Sequence, residues 1–188
     1  MRYAGFISYS HRDRRETIRL HRALEGYRVP KRLRGRESPL GVIGARLPRM
    51  FRDRDELAAS TDIGAAVRAA LVESAFLIVM CSPASAQSRW VDEEIREFIR
   101  LGRRDRILCF LVSDAAEQGS VAFPPALLEG GVEPIAVDPR RIADGRRGAL
   151  LKLVAAMLAL PYDELRQRDA ARRQRQLAAA AVLLGLIA

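Results

Sequence analysis

An unbroken apolar run, Phe76-Leu77-Ile78-Val79-Met80-Cys81, lies near the middle of the chain. It is too short for a buried helix and has no polar face, which predicts a central parallel strand; Ser82-Pro83 breaks it. Ile107 to Val112 reads the same way. Gly5-Phe6-Ile7-Ser8-Tyr9 predicts a buried strand whose carboxyl end turns small and polar, and Leu47 to Phe51 a weaker one. Val132 to Val137 predicts an edge strand, where Pro134 is tolerated. Between these runs the apolar spacing becomes helical. Arg14 to Glu25 brings Ile18, Leu20, His21 and Leu24 near one face and stops at Gly26; Ile63 to Ser74 turns Ile63, Val67, Ala70 and Leu71 inward. A third helix, capped by Ser85 or Ser88, runs through Trp90 to Leu101, and a fourth covers Gly148 to Leu160 before Pro161. Tyr27 to Pro48 has no period and is broken by Pro30, Gly35, Pro39, Gly41 and Gly44, which predicts a long basic connection. Arg52 to Asp62 is a charged loop.

Strands alternating with helices predict an α/β fold, because right-handed crossovers leave a parallel sheet with helices on both faces. Five strands suit the flavodoxin-like order 2-1-3-4-5. Ligands of such sheets bind beyond the carboxyl ends of the strands. Here that rim carries Ser8 to Asp13, Asp53 to Asp62 and Ser82 to Glu94.

Composition narrows the chemistry. The 188 residues, 49% apolar and 29% charged, suit one globular domain with a tail rather than a disordered chain. Cys81 and Cys109 both lie in apolar runs and read as buried thiols of a reducing compartment. Two cysteines and two histidines, His11 and His21, exclude a disulfide framework, a zinc ribbon and a histidine-rich metal centre. No secretory leader pattern opens the sequence. The net charge of +9 is concentrated: residues 28–36 carry +5 and residues 166–175 carry +4, so the remainder sums to zero. All basic residues except Lys31 and Lys152 are arginine, and no aromatics interleave with either run. A solvated basic surface therefore explains the charge better than base stacking on a nucleic acid, and no nucleic-acid partner is expected.

The rim excludes several familiar sites. A phosphoacceptor receiver needs an acidic pair after strand one and an aspartate after strand three; this chain has Ser8-Tyr9-Ser10 and Cys81-Ser82 there. It has no phosphate-binding glycine loop with lysine and no G-x-G-x-x-G after a strand. Ser8, His11 and Asp13 have the residue types of a hydrolase triad, but one short segment cannot arrange them as a relay.

Three segments remain. Phe6-Ile7-Ser8-Tyr9-Ser10-His11-Arg12-Asp13 closes strand one, and Phe51-Arg52-Asp53-Arg54-Asp55-Glu56-Leu57 opens the loop after strand two. Ser82-Pro83 is followed by Ser88-Arg89-Trp90-Val91-Asp92-Glu93-Glu94. In this order, on a five-strand pattern spanning residues 1–160, they resemble the Toll/interleukin-1 receptor (TIR) domain in its bacterial form. The segments correspond to its box one, the start of its BB loop and its S-P…S-x-W-x-x-x-E stretch. The resemblance implies one of two activities: cleavage of NAD⁺, or homotypic adaptor signalling between TIR domains. In catalytic members a glutamate follows a tryptophan by four residues, which maps to Glu94 and Trp90. Residues i and i+4 share one helix face, so a ring can pack on a bound base or ribose while the carboxylate reaches the sugar. Breaking the nicotinamide–ribose bond passes through an oxocarbenium-like state that a carboxylate stabilises. An alternative stays open: Asp92, Glu93 and Glu94 also suit the positive end of a helix dipole, with Trp90 covering the core. Glu93, about 100° further round the helix than Trp90's partner, points away from that face.

The resemblance further implies a pocket lined by Tyr9, Ser10, His11 and Arg12, with Asp53 at the end of strand two. For Arg12 and Asp53 a mutual surface salt bridge is an equally physical reading. The BB loop (Asp55, Glu56, Leu57, Ala58, Ala59, Ser60, Thr61, Asp62) would complete a neighbour's pocket in a self-assembled oligomer, as in antiphage effectors that consume NAD⁺ or make a cyclic ADP-ribose isomer. It departs from the family pattern in having no glycine before Gly64. NAD⁺ is the implied substrate, with no cofactor and no metal.

The end of the sequence carries a separate expectation. Leu177 to Ala188 is apolar or small throughout, while a spanning helix needs about 20 residues. With the arginines of residues 161–176 before it, the segment predicts a basic juxtamembrane or linker helix. The start of a truncated transmembrane helix would follow, holding a cytoplasmic domain at the inner face of the plasma membrane.

Overall fold

The computed structural model describes residues 1–52, 63–112, 122–129, 135–140 and 142–185. Five strands, β1 (Tyr3–Ser8), β2 (Met50–Arg52), β3 (Ser74–Cys81), β4 (Ile107–Leu111) and β5 (Ala136–Val137), form one sheet in the order β2-β1-β3-β4-β5. Every pairing is parallel. The helices are α1 (Arg14–Gly26), α2 (Ile63–Glu73), α3 (Pro83–Ala86), α4 (Arg89–Arg100), α5 (Pro125–Leu128), α6 (Gly145–Leu158) and α7 (Tyr162–Gly185). The flavodoxin-like order expected from the alternation is the observed one.

The pleat of β3 divides the core. Phe76, Ile78 and Met80 enter the cluster that contains Leu20, Leu24 and Val154, while Leu77, Val79 and Cys81 enter the one with Val91, Ile95 and Phe98. All of β3 is buried, as a strand with helices on both faces must be. Gly5 sits where β1 is squeezed between neighbours: a Cβ there would lie 3.2 Å from the Phe76 carbonyl oxygen and 2.9 Å from Met50 Cε. Cys81 and Cys109 are free and buried. The hydrogen bond with Cys109, and then burial, push the Cys81 thiol well above its ordinary range.

The structure adds detail to three expectations. Of the edge strand predicted over Val132 to Val137, Ala136–Val137 is strand and Ile135 is not, while residues 132–134 lie outside the described ones. The connection 27–47 is ordered and belongs to the core: Tyr27, Val29, Leu33, Ile43 and Leu47 are all buried with α1 and α6 residues. Val29 N–H donates to the Ala45 carbonyl at 3.0 Å and Ile43 N–H to Arg36 at 2.8 Å, folding the segment back on itself. Each apolar side chain contributes about 1.5–3 kcal/mol on burial, so a few suffice to order an aperiodic segment.

The third concerns the tail. α6 ends at Leu158 rather than Leu160, with Ala159 left-handed at φ 50° and Leu160 N–H closing on the Ala155 carbonyl at 2.9 Å. The turn sends the chain into α7, which packs on α6 and buries Leu165 and Asp169. The basic stretch and the start of the apolar segment are thus one helix, docked on the domain at its first half. No described helix is long and apolar enough to cross a membrane.

Candidate active site

The carboxyl end of β1 and the amino end of α4 meet at the rim. Ser88 caps α4, accepting from Val91 N–H, and the helix buries Val91, Glu94, Ile95 and Phe98. That is the i, i+3, i+4, i+7 stripe of an amphipathic helix with a carboxylate in one of its core positions. Glu94 is only 6% exposed. The Ser8 hydroxyl, at the last residue of β1, donates to Glu94 Oε2 at 2.5 Å. A buried carboxylate needs such donors, and this one is delivered by the sheet rather than by the helix.

A second pair lies beside it. Asp13, in the turn after β1, is 8% exposed and accepts from the Ser82 hydroxyl at 2.6 Å. Burial raises the Asp13 carboxyl above its ordinary value, and the Ser82 hydrogen bond opposes that without cancelling it. Ser82 also caps α3, taking Ser85 N–H at 3.0 Å, while Ser85 returns its hydroxyl to Ser82 N–H at 2.8 Å. This reciprocal capping box is why a serine and a proline follow β3: Ser82 caps, and Pro83 starts the helix without a donor to lose. Thus Ser85 closes the capping box of the short α3, and Ser88 is the cap of α4.

The other expected residues are placed as follows. Tyr9 and Ser10 are partly buried, Tyr9 against the α1 side of the core, and His11 and Arg12 are exposed in the turn that leads into α1. Trp90 is 62% exposed, ten times more than Glu94, although one turn separates them. It lies in the first turn of α4, on the flank of the buried stripe, about 100° before Val91. Asp53 and the loop residues Asp55 to Asp62 lie outside the described residues. The structure therefore brings Glu94 together with Ser8, and Asp13 with Ser82. Ser8, Asp13 and Ser82 were missed as site residues by sequence reasoning. The available signal was positional: small polar residues at the ends of two adjacent strands. Among the described residues no three of His, Cys, Asp or Glu are grouped to hold a metal ion.

Comparison with known proteins bears on this arrangement. Over 202 residues the chain is 31% identical to the NAD(+) hydrolase ApTIR of Actinoplanes sp. (strain ATCC 31044 / CBS 674.73 / SE50/110). The match covers 94% of this chain and 26% of that protein, so the chain spans about a quarter of the relative's length. Among solved structures, the TIR domains of the activated Roq1 resistosome, directly recognizing the pathogen effector XopQ, match with a TM-score of 0.40 and 22% identity, over 57% of this chain and 55% of that one. The TIR domain family model matches residues 6–139, from box one through β5. With well over half its length inside that match, the chain belongs to the TIR domain family.

Proposed function

We propose that this TIR domain cleaves the bond between nicotinamide and ribose in NAD⁺, with Glu94 as its essential carboxylate. The observation that carries the reading is Glu94 itself: a carboxylate buried in the apolar stripe of α4, at the ligand-binding rim, held by a strand-end hydroxyl. A structural acid at a helix start is ordinarily solvated; burying one costs free energy, which a functional role accounts for. The relationship to a protein named as an NAD(+) hydrolase supports the same reading.

In the reaction the C1′–N bond of the nicotinamide riboside breaks and the electron pair leaves with neutral nicotinamide. Positive charge grows on the ribose ring, where the Glu94 carboxylate stabilises it and orients the ribose hydroxyls. Water then attacks C1′ and loses a proton, giving ADP-ribose; attack by an adenine ring nitrogen instead gives a cyclic isomer. Ser8 holds the Glu94 carboxylate in place. Trp90 is the stacking platform, and its exposure on the isolated protomer suits a pocket completed by the BB loop of a neighbour in a self-assembled oligomer. Activity switched on by assembly suits an antiphage effector.

The test is nicotinamide release from NAD⁺ by protein clustered at high concentration, wild type beside Glu94→Ala, with chromatography of the products. Release by the wild type and loss in a folded Glu94→Ala protein supports the reading, and the product peak separates hydrolysis from cyclisation. A clustered wild type that releases nothing overturns it. The exposed Trp90 then favours a non-catalytic TIR–TIR interaction module.

A further inference from the structure

Away from the rim, the ordered 27–47 segment and α7 enclose a cavity of about 880 Å³. A second, of about 560 Å³, adjoins it through the shared residues Arg28 and Arg172 and reaches inward to Tyr27. Both volumes fall in the range of small-molecule sites. The lining of the first is strongly cationic: Arg28, Lys31, Arg32, Arg34, Arg168 and Arg172 face a single acid, Glu164.

Internal partners leave most of that charge unbalanced. Glu164 is already shared between Arg36, at 3.2 and 3.3 Å, and Arg168, at 2.6 Å, and these two guanidiniums hold its carboxyl below the usual range. Arg34 donates to the Val29 carbonyl at 3.1 Å and Arg172 to the Arg28 carbonyl at 2.9 Å. A carbonyl orients a guanidinium without neutralising it. Arg28, Lys31 and Arg32 are exposed and make no ion pair among the described residues. Opposed segments with a surplus of cations repel one another, and a bound polyanion removes that repulsion.

A second observation is independent of charge. Tyr27 is 3% exposed, and its hydroxyl is a buried polar atom without a hydrogen-bond partner. Such a group costs about 1–3 kcal/mol unless something accepts from it. Burial, with Asp169 nearby, pushes the phenol up to about 12, so at neutral pH it is a donor. The Asp169 carboxylate also lines the inner cavity, where Arg147 engages it.

We infer that the joined cavities between the 27–47 segment and α7 bind a small, multiply phosphorylated anion, with Arg28, Arg32 and Arg172 on its phosphates and the Tyr27 hydroxyl donating from the inner end. Arginine forks match phosphate oxygens in pairs. The remaining walls of the first cavity, Val29, Pro30, Gln167 and Ala171, carry no aromatic ring and offer no platform for successive bases, which favours a compact ligand over a nucleic-acid strand. Because its contacts come from both sides, the ligand fastens α7 to the domain and raises its thermal stability by mass action.

Calorimetric titration of the full chain with inorganic tripolyphosphate, at about 0.15 M salt, tests the inference. Wild type is expected to bind one anion per chain saturably and to melt higher in its presence. Arg28→Glu/Arg32→Glu should weaken binding by at least about tenfold. Arg15→Glu/Arg49→Glu, the same charge change at exposed positions elsewhere, should stay within about twofold. Tyr27→Phe removes only the hydroxyl; it should bind several times more weakly while melting no lower than wild type without ligand. Equal losses in the two double variants, or no saturable binding by wild type, would overturn the site. Binding of Tyr27→Phe at wild-type strength would overturn the assignment of the inner cavity. A single-stranded oligonucleotide or an acidic peptide that displaces tripolyphosphate and binds more tightly through the same arginines would overturn the ligand class.

Discussion

Among the described residues, buried carboxylates lie at the rim, Glu94 and Asp13, and on α7, Asp169, and their partners differ in kind. At the strand-end rim, Glu94 takes a hydroxyl from Ser8 and Asp13 takes one from Ser82. At the junction of α6 and α7, Asp169 takes a bidentate guanidinium from Arg147, and the partly exposed Glu164 of α7 is gripped by Arg36 and Arg168. The consequences are opposite in sign. Burial outweighs a hydroxyl donor and raises Asp13, whereas two guanidiniums lower Glu164. A cation locks a carboxylate into structure and cancels its field. A neutral hydroxyl donor orients a carboxylate without itself bringing a positive charge to it.

Five substitutions probe this contrast, the largest effect first. Glu94→Gln keeps the size and an acceptor for Ser8 but removes the charge. NAD⁺ cleavage should fall by about a hundredfold or more with little change in melting temperature. A loss of folding without a specific loss of activity would return Glu94 to a structural role.

Arg147→Ala should be the most damaging change at the junction. It removes the bidentate partner of Asp169, which is 2% exposed, and the guanidinium 5.5 Å from the centre of the Tyr27 ring. A cost of about 3 kcal/mol is expected in urea unfolding, with cleavage by the remaining folded protein unchanged. Asp169→Ala should cost less, since the Arg147 side chain is 41% exposed and can turn to water. Equal costs would mean that packing, rather than the buried charge, dominates the junction.

Ser8→Ala deprives the Glu94 carboxylate of its strand-end donor. A drop of about tenfold in kcat is expected, with KM little changed and the acid limb of the pH–rate profile moved upward. A profile that stays in place while kcat falls would make Ser8 a packing residue and not a positioning one.

The smallest effect concerns Asp13 and shows itself through pH. Its folded value is raised above the ordinary 3.8, so the folded state binds its proton more tightly than the unfolded chain does. The stability it contributes is full below that pH and is lost as pH rises through the raised folded value. Asp13→Asn should therefore be more stable than wild type at neutral pH, with the difference vanishing below about pH 3.8. Urea melts across that range check the sign. An Asp13→Asn protein less stable than wild type at neutral pH, with the deficit shrinking as pH falls, would show that the Ser82 hydrogen bond outweighs burial.

Much of the rim was legible along the chain. The continuous apolar run of β3, the small polar residues after it, and a glutamate four residues from the lone tryptophan of α4 are local patterns. Glu94 could be singled out because a helix stripe has a fixed period, and an acid on that stripe stands out against its neighbours. Its partner could not. Ser8 is 86 residues away, and a serine at a strand end reads the same whether it faces water or a carboxylate. Asp13 and Ser82, 69 residues apart, pose the same difficulty. The exposure of Trp90 was hidden for a related reason: spacing places a residue on a helix face but does not say how far the sheet extends beneath it.

The 27–47 segment and α7 mark where local reading ended. With no period, the first was read as a connection; with arginines followed by alanines and leucines, the second was read as a linker and the start of a membrane span. Each buries what the other exposes, through Leu33 and Leu165, Arg36 and Glu164, and the Arg172 bond to the Arg28 carbonyl. By itself the sequence determined the alternation of strands and helices, the order of the sheet, the location of the rim and the glutamate on the α4 stripe. All of these follow from periodicity and handedness, which act over a few residues at a time. Only the tertiary structure decided which hydroxyl meets which carboxylate, that an aperiodic segment joins the core, and that the basic stretch is part of a docked helix. Those outcomes depend on surfaces brought together from distant parts of the chain, where burial and charge balance are properties of the pair rather than of either segment.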